Sequence, residues 1–329
     1  MIATKLIAWY QKNQRDLPFR KTNDPYAIWV SEIMAQQTRI DTMIPYYHRW
    51  LNQFPTIEAC AEAEVDDILK AWEGLGYYRR ARFLHQGCQY LMKYHQGIFP
   101  DTHEEIAKIP GIGPYTSAAI ASIAFGISVP AIDGNVLRVV SRLRKINSDI
   151  SKESTKKEVY SLCYDWMQSY NASEFTQGMM EIGALICTPS SPKCNLCPLQ
   201  SECASYNDQT MLDYPVKSVK KKPSEHHYDL YLIYDDTNLL VSYDDEDGLM
   251  QGMVRLPMIQ STQTAPFDRV KVATFKHVYS HKIWYCTVYT ASPDSFSYSS
   301  EHYQWIPKTK LSSIAWITAA KKALAYIEK

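Results

Sequence analysis

The sequence predicts two domains of different class: a mainly α N-terminal domain, then a smaller α+β C-terminal domain. Three observations predict this. From residue 1 to about 208, apolar residues recur at spacings of three and four, the repeat of helices with one buried face. From about 227 onward they alternate in short runs rich in Val, Ile, Tyr and Thr, the repeat of half-buried strands. Between the two, YPVKSVKKKPSEHH is charged, contains two prolines and has no period, which suits a linker. The boundaries read this way are 1–208, a linker at 209–226, and 227–329.

Within the first domain, helical periodicity runs through 26–52, 65–95, 103–109, 115–125, 135–145 and 156–187. Pro100-Asp101, Gly111-Ile112-Gly113-Pro114, and Gly126 followed by Pro130 punctuate these stretches, since Gly and Pro stop or start helices. In the second domain, strands are expected at HYDLYLIYD, NLLVSYDDEDG, RVKVATFKHVYSH and KIWYCTVYTAS, with a closing helix from Ser313 to Ile327.

At 329 residues the chain is long enough to bury a sizeable core. No apolar run approaches the ~18 residues of a membrane helix, and MIATKLIAWYQKNQRDLPFR has no signal-peptide pattern. A cytoplasmic monomer with no membrane partner is expected. Lys plus Arg equals Asp plus Glu at 35 each, so no global positive field announces a polyanion. Local patches would have to meet one: Arg79, Arg80 and Arg82; Arg138, Arg142, Arg144 and Lys145; Lys217, Lys220, Lys221 and Lys222. Taken alone, each patch is more often a solvated face.

Of eight cysteines, Cys60, Cys88, Cys163 and Cys286 are scattered in apolar settings, where buried thiols belong. The other four, Cys187, Cys194, Cys197 and Cys203, are spaced C-x6-C-x2-C-x5-C. Clustered thiols in a reducing compartment point to metal. Zinc favours two short Cys-x2-4-Cys knuckles, whereas one such knuckle with outliers on both sides suits an iron-sulfur cluster. This spacing, closing a helical domain, resembles the 4Fe-4S loop of the endonuclease III superfamily of DNA glycosylases.

IAKIPGIGPYTSAAI then resembles that superfamily's helix-hairpin-helix, which holds the DNA backbone. Gly111 and Gly113 lack a Cβ, so the turn can take φ > 0 and a phosphate can approach the amides of the next helix. Pro114 suits a first helical turn. GxG alone would be an ordinary turn. Asp133 stands where an N-cap belongs, and a helix start is expected to depress its pKa and keep it ionised. The resemblance adds a second task, stabilising an oxocarbenium-like sugar. Tyr115 occupies the step at which endonuclease III-like bifunctional enzymes have a Schiff-base lysine, so a monofunctional glycosylase using water is implied.

DPYAIWVSEIMAQQTRIDTMIPYYHRW places Glu32 among Trp29, Val30, Ile33, Met34 and Ala35. Local evidence allows a solvated carboxylate at the edge of an apolar stripe. The stretch is also very similar to the adenine DNA glycosylase (MutY) family signature, in which this glutamate is the general acid. Adenine leaves better as a neutral base, and an apolar pocket would raise Glu32 from about 4.3. Gln36-Gln37-Thr38 and EGLGYYRRARFLH, with Gly74, Gly76, Tyr77 and Arg79, resemble the family's strand-separating segments. Gln37 and Tyr77 would enter the stack as the base is extruded, although core packing is the ordinary fate of one among 24 tyrosines. LPFR stands where the family usually has LPWR.

The family also carries a Nudix-like C-terminal domain that senses 8-oxoguanine opposite the adenine. HVYSHKIW resembles its H-x-F-S-H loop, with Tyr279 in place of phenylalanine and Ser280 and His281 at the tip. GMVRLP departs from the usual GLWEFP. The resemblance implies double-stranded DNA holding A:8-oxoG or A:G mispairs as partner and a 4Fe-4S cluster as cofactor. Two other readings stay open: another superfamily glycosylase acting on pyrimidines or T:G mispairs, and an iron-sulfur DNA-binding protein without activity.

Overall fold

The structure, a computed structural model, describes residues 1–218, 222–243, 253–262, 267–279, 282–295 and 301–327. The chain forms two compact units: Met1–Glu62 with Phe83–Val219, and Ala63–Arg82 with Lys220–Lys329. Helical segments in order are α1 (Ile2–Asn13), α2 (Pro25–Ala35), α3 (Ile40–Gln53), α4 (Ile57–Glu62), α5 (Val65–Ala71), α6 (Arg79–His95), α7 (His103–Ile106), α8 (Pro114–Phe125), α9 (Gly134–Arg144), α10 (Glu153–Met167), α11 (Ala172–Leu185) and α12 (Ala204–Asn207). No helix among the described residues is long and apolar enough to cross a membrane.

The first unit is helical because its caps and apolar faces agree. The Asp24 carboxylate accepts from the Tyr26 amide and Pro25 opens α2, Asn171 accepts from the Glu174 amide at the start of α11, and Gly126 ends α8 at φ 68°. Each cap satisfies groups a helix end leaves orphaned. α2 buries Tyr26, Ala27, Ile28, Trp29, Val30, Ser31, Ile33 and Met34, and α8 buries every residue from Thr116 to Ile123. These two pack on each other, and α11 packs against α1, α8 and α9. A core of Leu6, Val136, Val140, Leu143, Phe175, Met179 and Ile182 fills the space among α1, α9 and α11.

Three expected long helices are broken in the structure. The 26–52 stretch parts at Gln36–Arg39, where Gln37 takes φ 58°. The 65–95 stretch parts between Ala71 and Arg79, and the 156–187 stretch between Met167 and Ala172.

In the second unit the strands are β1 (Ser224–Ile233), β2 (Asn238–Ser242), β3 (Met258–Gln260), β4 (Val270–Val278), β5 (Lys282–Ala291) and β6 (Tyr303–Pro307), followed by α13 (Thr318–Leu324). Four strands form a mixed sheet in the order β3-β1-β5-β4, and β2 pairs with β6. β1 and β5 run parallel with Tyr228 opposite Cys286, while β3 on β1 and β4 on β5 are antiparallel. β1 begins at Ser224, inside the stretch read as linker, and α13 is shorter than the helix expected from Ser313 to Ile327. The four scattered cysteines are buried as expected.

Candidate active site

Glu32 lies near the end of α2 and is the half-buried acid on a helix otherwise packed into the core. α8 brings Tyr115 to it: the Tyr115 hydroxyl donates to Glu32 Oε2 at 2.6 Å. Burial pushes Glu32 up to about 7; the charge of Asp133 adds to this, and the Tyr115 bond and the Arg20 charge oppose it. Glu32 is therefore near half-protonated at neutral pH. Burial and the two carboxylates hold the Tyr115 phenol well above its ordinary value, so it remains a donor.

Asp133 caps α9. Its Oδ1 accepts from the Val136 amide at 2.7 Å and its Oδ2 from Asn135 Nδ2 at 2.7 Å. The expected depression of its pKa is not found: burial raises it, outweighing those bonds and the Arg138 charge. Desolvation of a carboxylate can exceed what a helix start returns. Glu32, Tyr115 and Asp133 line one cleft of about 780 Å³ with Gln36, Gln37 and Thr38. Gln37 is exposed at the break after α2.

Glu181 is the buried acid that the sequence reading missed. It is 0% exposed and accepts from Arg15 Nε and Nη2 at 2.9 and 2.8 Å and from Arg20 Nη1 and Nη2 at 2.9 and 2.6 Å. Burial works against its ionisation, but the two guanidiniums pull it down to about 2. Both arginines line the cleft, so Glu181 fixes its basic wall. The signal was a lone charge inside the apolar run GMMEIGAL.

The glycine hairpin divides its labour. Gly111 has φ 80°, and a Cβ there would stand 2.4 Å from Phe83 Cβ, so the fold itself requires glycine. Gly113 has φ −88°, which any residue adopts, and a Cβ would meet nothing within 4 Å. The expectation of φ > 0 thus holds at Gly111 alone. The first-turn amides of α8 have no intrahelical acceptor.

One of the expected basic patches is divided: Arg144 is exposed, but its two other arginines are not on the surface. Arg138 and Arg142 are 7% and 2% exposed. Arg138 donates to Asn135 Oδ1 at 2.9 Å, the Gly183 carbonyl at 2.8 Å and the Cys187 carbonyl at 2.7 Å. Arg142 donates to the carbonyls of Thr188, Pro189 and Tyr214 at 2.7, 2.8 and 3.0 Å, and approaches Cys187 Sγ at 3.3 Å. Hydrogen bonds therefore run from Asp133 through Asn135 and Arg138 to the loop that holds the cysteines.

Cys187, Cys194, Cys197 and Cys203 line a single cavity with Arg142, Leu143 and Ile182. Burial pushes the Cys197 thiol up to about 12 and raises Cys194, and charge on the neighbouring thiols raises both further. Four thiolates sharing this cavity need positive charge among them, and Cys187 and Cys203 have polar contacts from Arg142 Nη1 and with Ser205 Oγ. The donor set thus suits a cationic group. Among the described residues, no set of three or more His, Cys, Asp or Glu side chains is placed to hold a single metal ion.

Tyr77 and Arg79 belong to the second unit and are both exposed. Ser280 and His281 lie outside the described residues.

A helical unit with a glycine hairpin and two carboxyls in one cleft defines a helix-hairpin-helix repair protein, and the family model described as "HhH-GPD superfamily base excision DNA repair protein" matches residues 30–164. The structure of a thermostable thymine-DNA glycosylase shares the fold, with a TM-score of 0.56 and 25% identity over 63% of this chain and 95% of that one. The adenine DNA glycosylase of Buchnera aphidicola subsp. Acyrthosiphon pisum is 34% identical over 261 residues, 79% of this chain and 75% of its own. That of Arabidopsis thaliana is 35% identical over 295 residues, 77% of this chain but 46% of its own, so the match spans about half of the plant relative. The chain belongs to the adenine DNA glycosylase family and is a base-excision repair enzyme.

Proposed function

We propose that the enzyme hydrolyses the N-glycosidic bond of adenine in duplex DNA where adenine is mispaired with 8-oxoguanine or guanine. The observation that carries this is the cleft shared by Glu32 and Asp133, with Tyr115 bonded to Glu32. Glu32, lifted to about 7, carries the proton a departing base needs. It donates that proton to adenine N7 as the C1′–N9 bond breaks, the bonding electrons leave with the base, and adenine departs neutral. Tyr115 holds Oε2, so the transferable proton resides on the other oxygen.

Positive charge then develops on the sugar. Asp133, with the Val136 amide and the Asn135 side chain favouring its anion, stabilises that charge, and water adds to C1′ while its proton passes to the Glu32 carboxylate, leaving an abasic sugar and a reprotonated acid. No lysine stands at the Tyr115 step, so no Schiff base forms and the reaction is monofunctional.

Gly113 and the α8 amides receive the DNA backbone, with Gly111 shaping the turn. Gln37 and Tyr77 enter the stack as adenine is extruded, and Arg79 meets phosphate. Ser280 and His281 read the edge of the opposing base in a Nudix-like domain, a reading that rests on the H-x-F-S-H resemblance. Replacing both by alanine would erode the preference for A:8-oxoG over A:G by about ten- to a hundredfold. Cys187, Cys194, Cys197 and Cys203 hold a 4Fe-4S cluster, which cross-links the loop and neutralises its thiolates.

The test is incubation with labelled duplexes carrying A:8-oxoG, A:G, T:G or an oxidised pyrimidine, followed by alkali. Strand breaks confined to the adenine duplexes are expected. Breakage at T:G or at the pyrimidine, with adenine intact, overturns the reading.

A further inference from the structure

The turn that carries Tyr77 is strained and held from several sides. Between α5 and α6 the backbone takes φ 104° at Gly74, 70° at Gly76 and 50° at Tyr77. A tyrosine rarely adopts that last conformation, and such strain persists only where surroundings over-determine it. Trp72 Nε1 donates to the Gly76 carbonyl at 3.1 Å, Arg80 Nη2 donates to the carbonyls of Leu75 and Gly76 at 3.2 and 3.0 Å, and the Gly74 amide donates to the Tyr78 hydroxyl at 3.1 Å. The Arg80 guanidinium lies 5.3 Å from the Trp72 ring and 5.4 Å from the Tyr77 ring. Tyr77 itself is 44% exposed, a large ring presented outward.

Glu73 stands at the foot of this turn. Its side chain is 11% exposed and takes Lys70 on Oε2 at 2.8 Å and Lys321 of α13 on Oε1 at 3.0 Å. Lys70 also donates to the Ile314 carbonyl at 3.2 Å. α13 is anchored in turn: Ala319, Ala320 and Ala323 are buried, it packs on β1, and Lys322 lies 5.6 Å from the Phe275 ring on β4. A continuous path therefore leads from the sheet through α13, Lys321 and Glu73 to the turn.

We infer that Glu73 and Lys321 are a positioning pair that ties the Tyr77 turn to the sheet, so that the module facing the opposing base also sets how Tyr77 enters the stack. This rests on the reading of Tyr77 as the residue that enters the stack. Neither side chain touches the adenine. Their effect falls on extrusion and leaves bond breaking alone.

The test follows extrusion by the fluorescence of 2-aminopurine placed beside adenine in an A:8-oxoG duplex, and chemistry by single-turnover excision of adenine opposite an abasic site. Lys321 is 58% exposed, and the buried face of α13 is carried by Ala319, Ala320 and Ala323. Lys321→Met should slow the fluorescence rise about three- to tenfold, the scale of a partly buried ion pair, and change excision opposite the abasic site less than about twofold. Lys321→Arg should restore the rate. In a Tyr77→Ala background Lys321→Met should add almost nothing, because the pair acts through Tyr77. Equal slowing with and without Tyr77 would make the pair merely structural and overturn the inference. A wild-type rate for Lys321→Met beside a slow Tyr77→Ala overturns it alone. A wild-type rate for Tyr77→Ala instead refutes the reading of Tyr77, and this inference with it.

Discussion

Tyr115 and Glu32 stand 83 positions apart in the chain and 2.6 Å apart in space, phenol donating to carboxylate. The bond has two consequences. It favours the ionised carboxylate and so restrains a pKa that burial drives upward, and it occupies one of two oxygens, fixing where the acidic proton can sit.

Glu32→Gln keeps the shape of the side chain and can still meet Tyr115, but it has no acidic proton. Adenine release should fall by about 10²- to 10⁴-fold, while duplex affinity changes little. Single-turnover excision and a binding isotherm on the same A:8-oxoG duplex check this, and near wild-type excision would remove Glu32 from the mechanism.

The same residue predicts a pH signature in stability. Its folded pKa, about 7, lies above the ordinary carboxyl value, so between the two the folded chain keeps a proton the unfolded chain has released. This contribution to stability is complete below the ordinary value and is lost as pH rises through about 7. Glu32→Gln should therefore stabilise the protein at pH 8 by roughly 1–3 kcal/mol and by much less at pH 4.5. Urea titrations at both values decide it; equal differences would mean that Glu32 is not desolvated.

Borohydride added during turnover should trap no covalent protein-DNA adduct, because Tyr115 has no amine with which to form one. Tyr115→Phe removes the bond that lowers the Glu32 pKa, so the pH at which excision falls off should move upward. An efficient adduct in the wild type would reveal an unnoticed lysine.

Arg138→Gln cuts the path from Asn135 to the Cys187 carbonyl and leaves buried acceptors unpaired. A loss of about 2–5 kcal/mol in stability is expected, together with slower excision as Asn135 and hence Asp133 lose their orientation. If denaturation and excision are both unchanged, the path carries no load between α9 and the loop.

Iron and acid-labile sulfide should be found at four irons per chain in anaerobically purified protein, since the four thiols share one cavity. Stoichiometric zinc without sulfide would sink the cluster.

Much of this was legible in the sequence. The helical spacing, the glycine hairpin, the Asp133 cap and the cysteine spacing are local features, and local features survive being read one dimension at a time. The meeting of Glu32 with Asp133 depends on how α2, α8 and α9 pack, which no spacing encodes. Glu181 was missed because a lone acid in GMMEIGAL declares itself buried only once Arg15 and Arg20, more than 160 positions away, are seen to reach it. The break at Gln37 was missed because a non-glycine residue carries the positive φ, whereas the break before α6 had a local mark in Gly74 and Gly76. β3, of three residues, is too short for alternation to register. The direction of the Asp133 shift was misjudged because the sequence shows the cap and conceals the depth of burial.

The two glycines of the hairpin separate two kinds of damage. Any side chain at 111 strikes Phe83 inside the protein, so such a variant should be scarce and thermally fragile. A side chain at 113 strikes nothing the protein owns, so that variant should accumulate normally, melt normally and fail only in the presence of DNA. A survey that ranks substitutions by yield or melting temperature would flag the first and pass the second as harmless, though both would leave a cell without working enzyme.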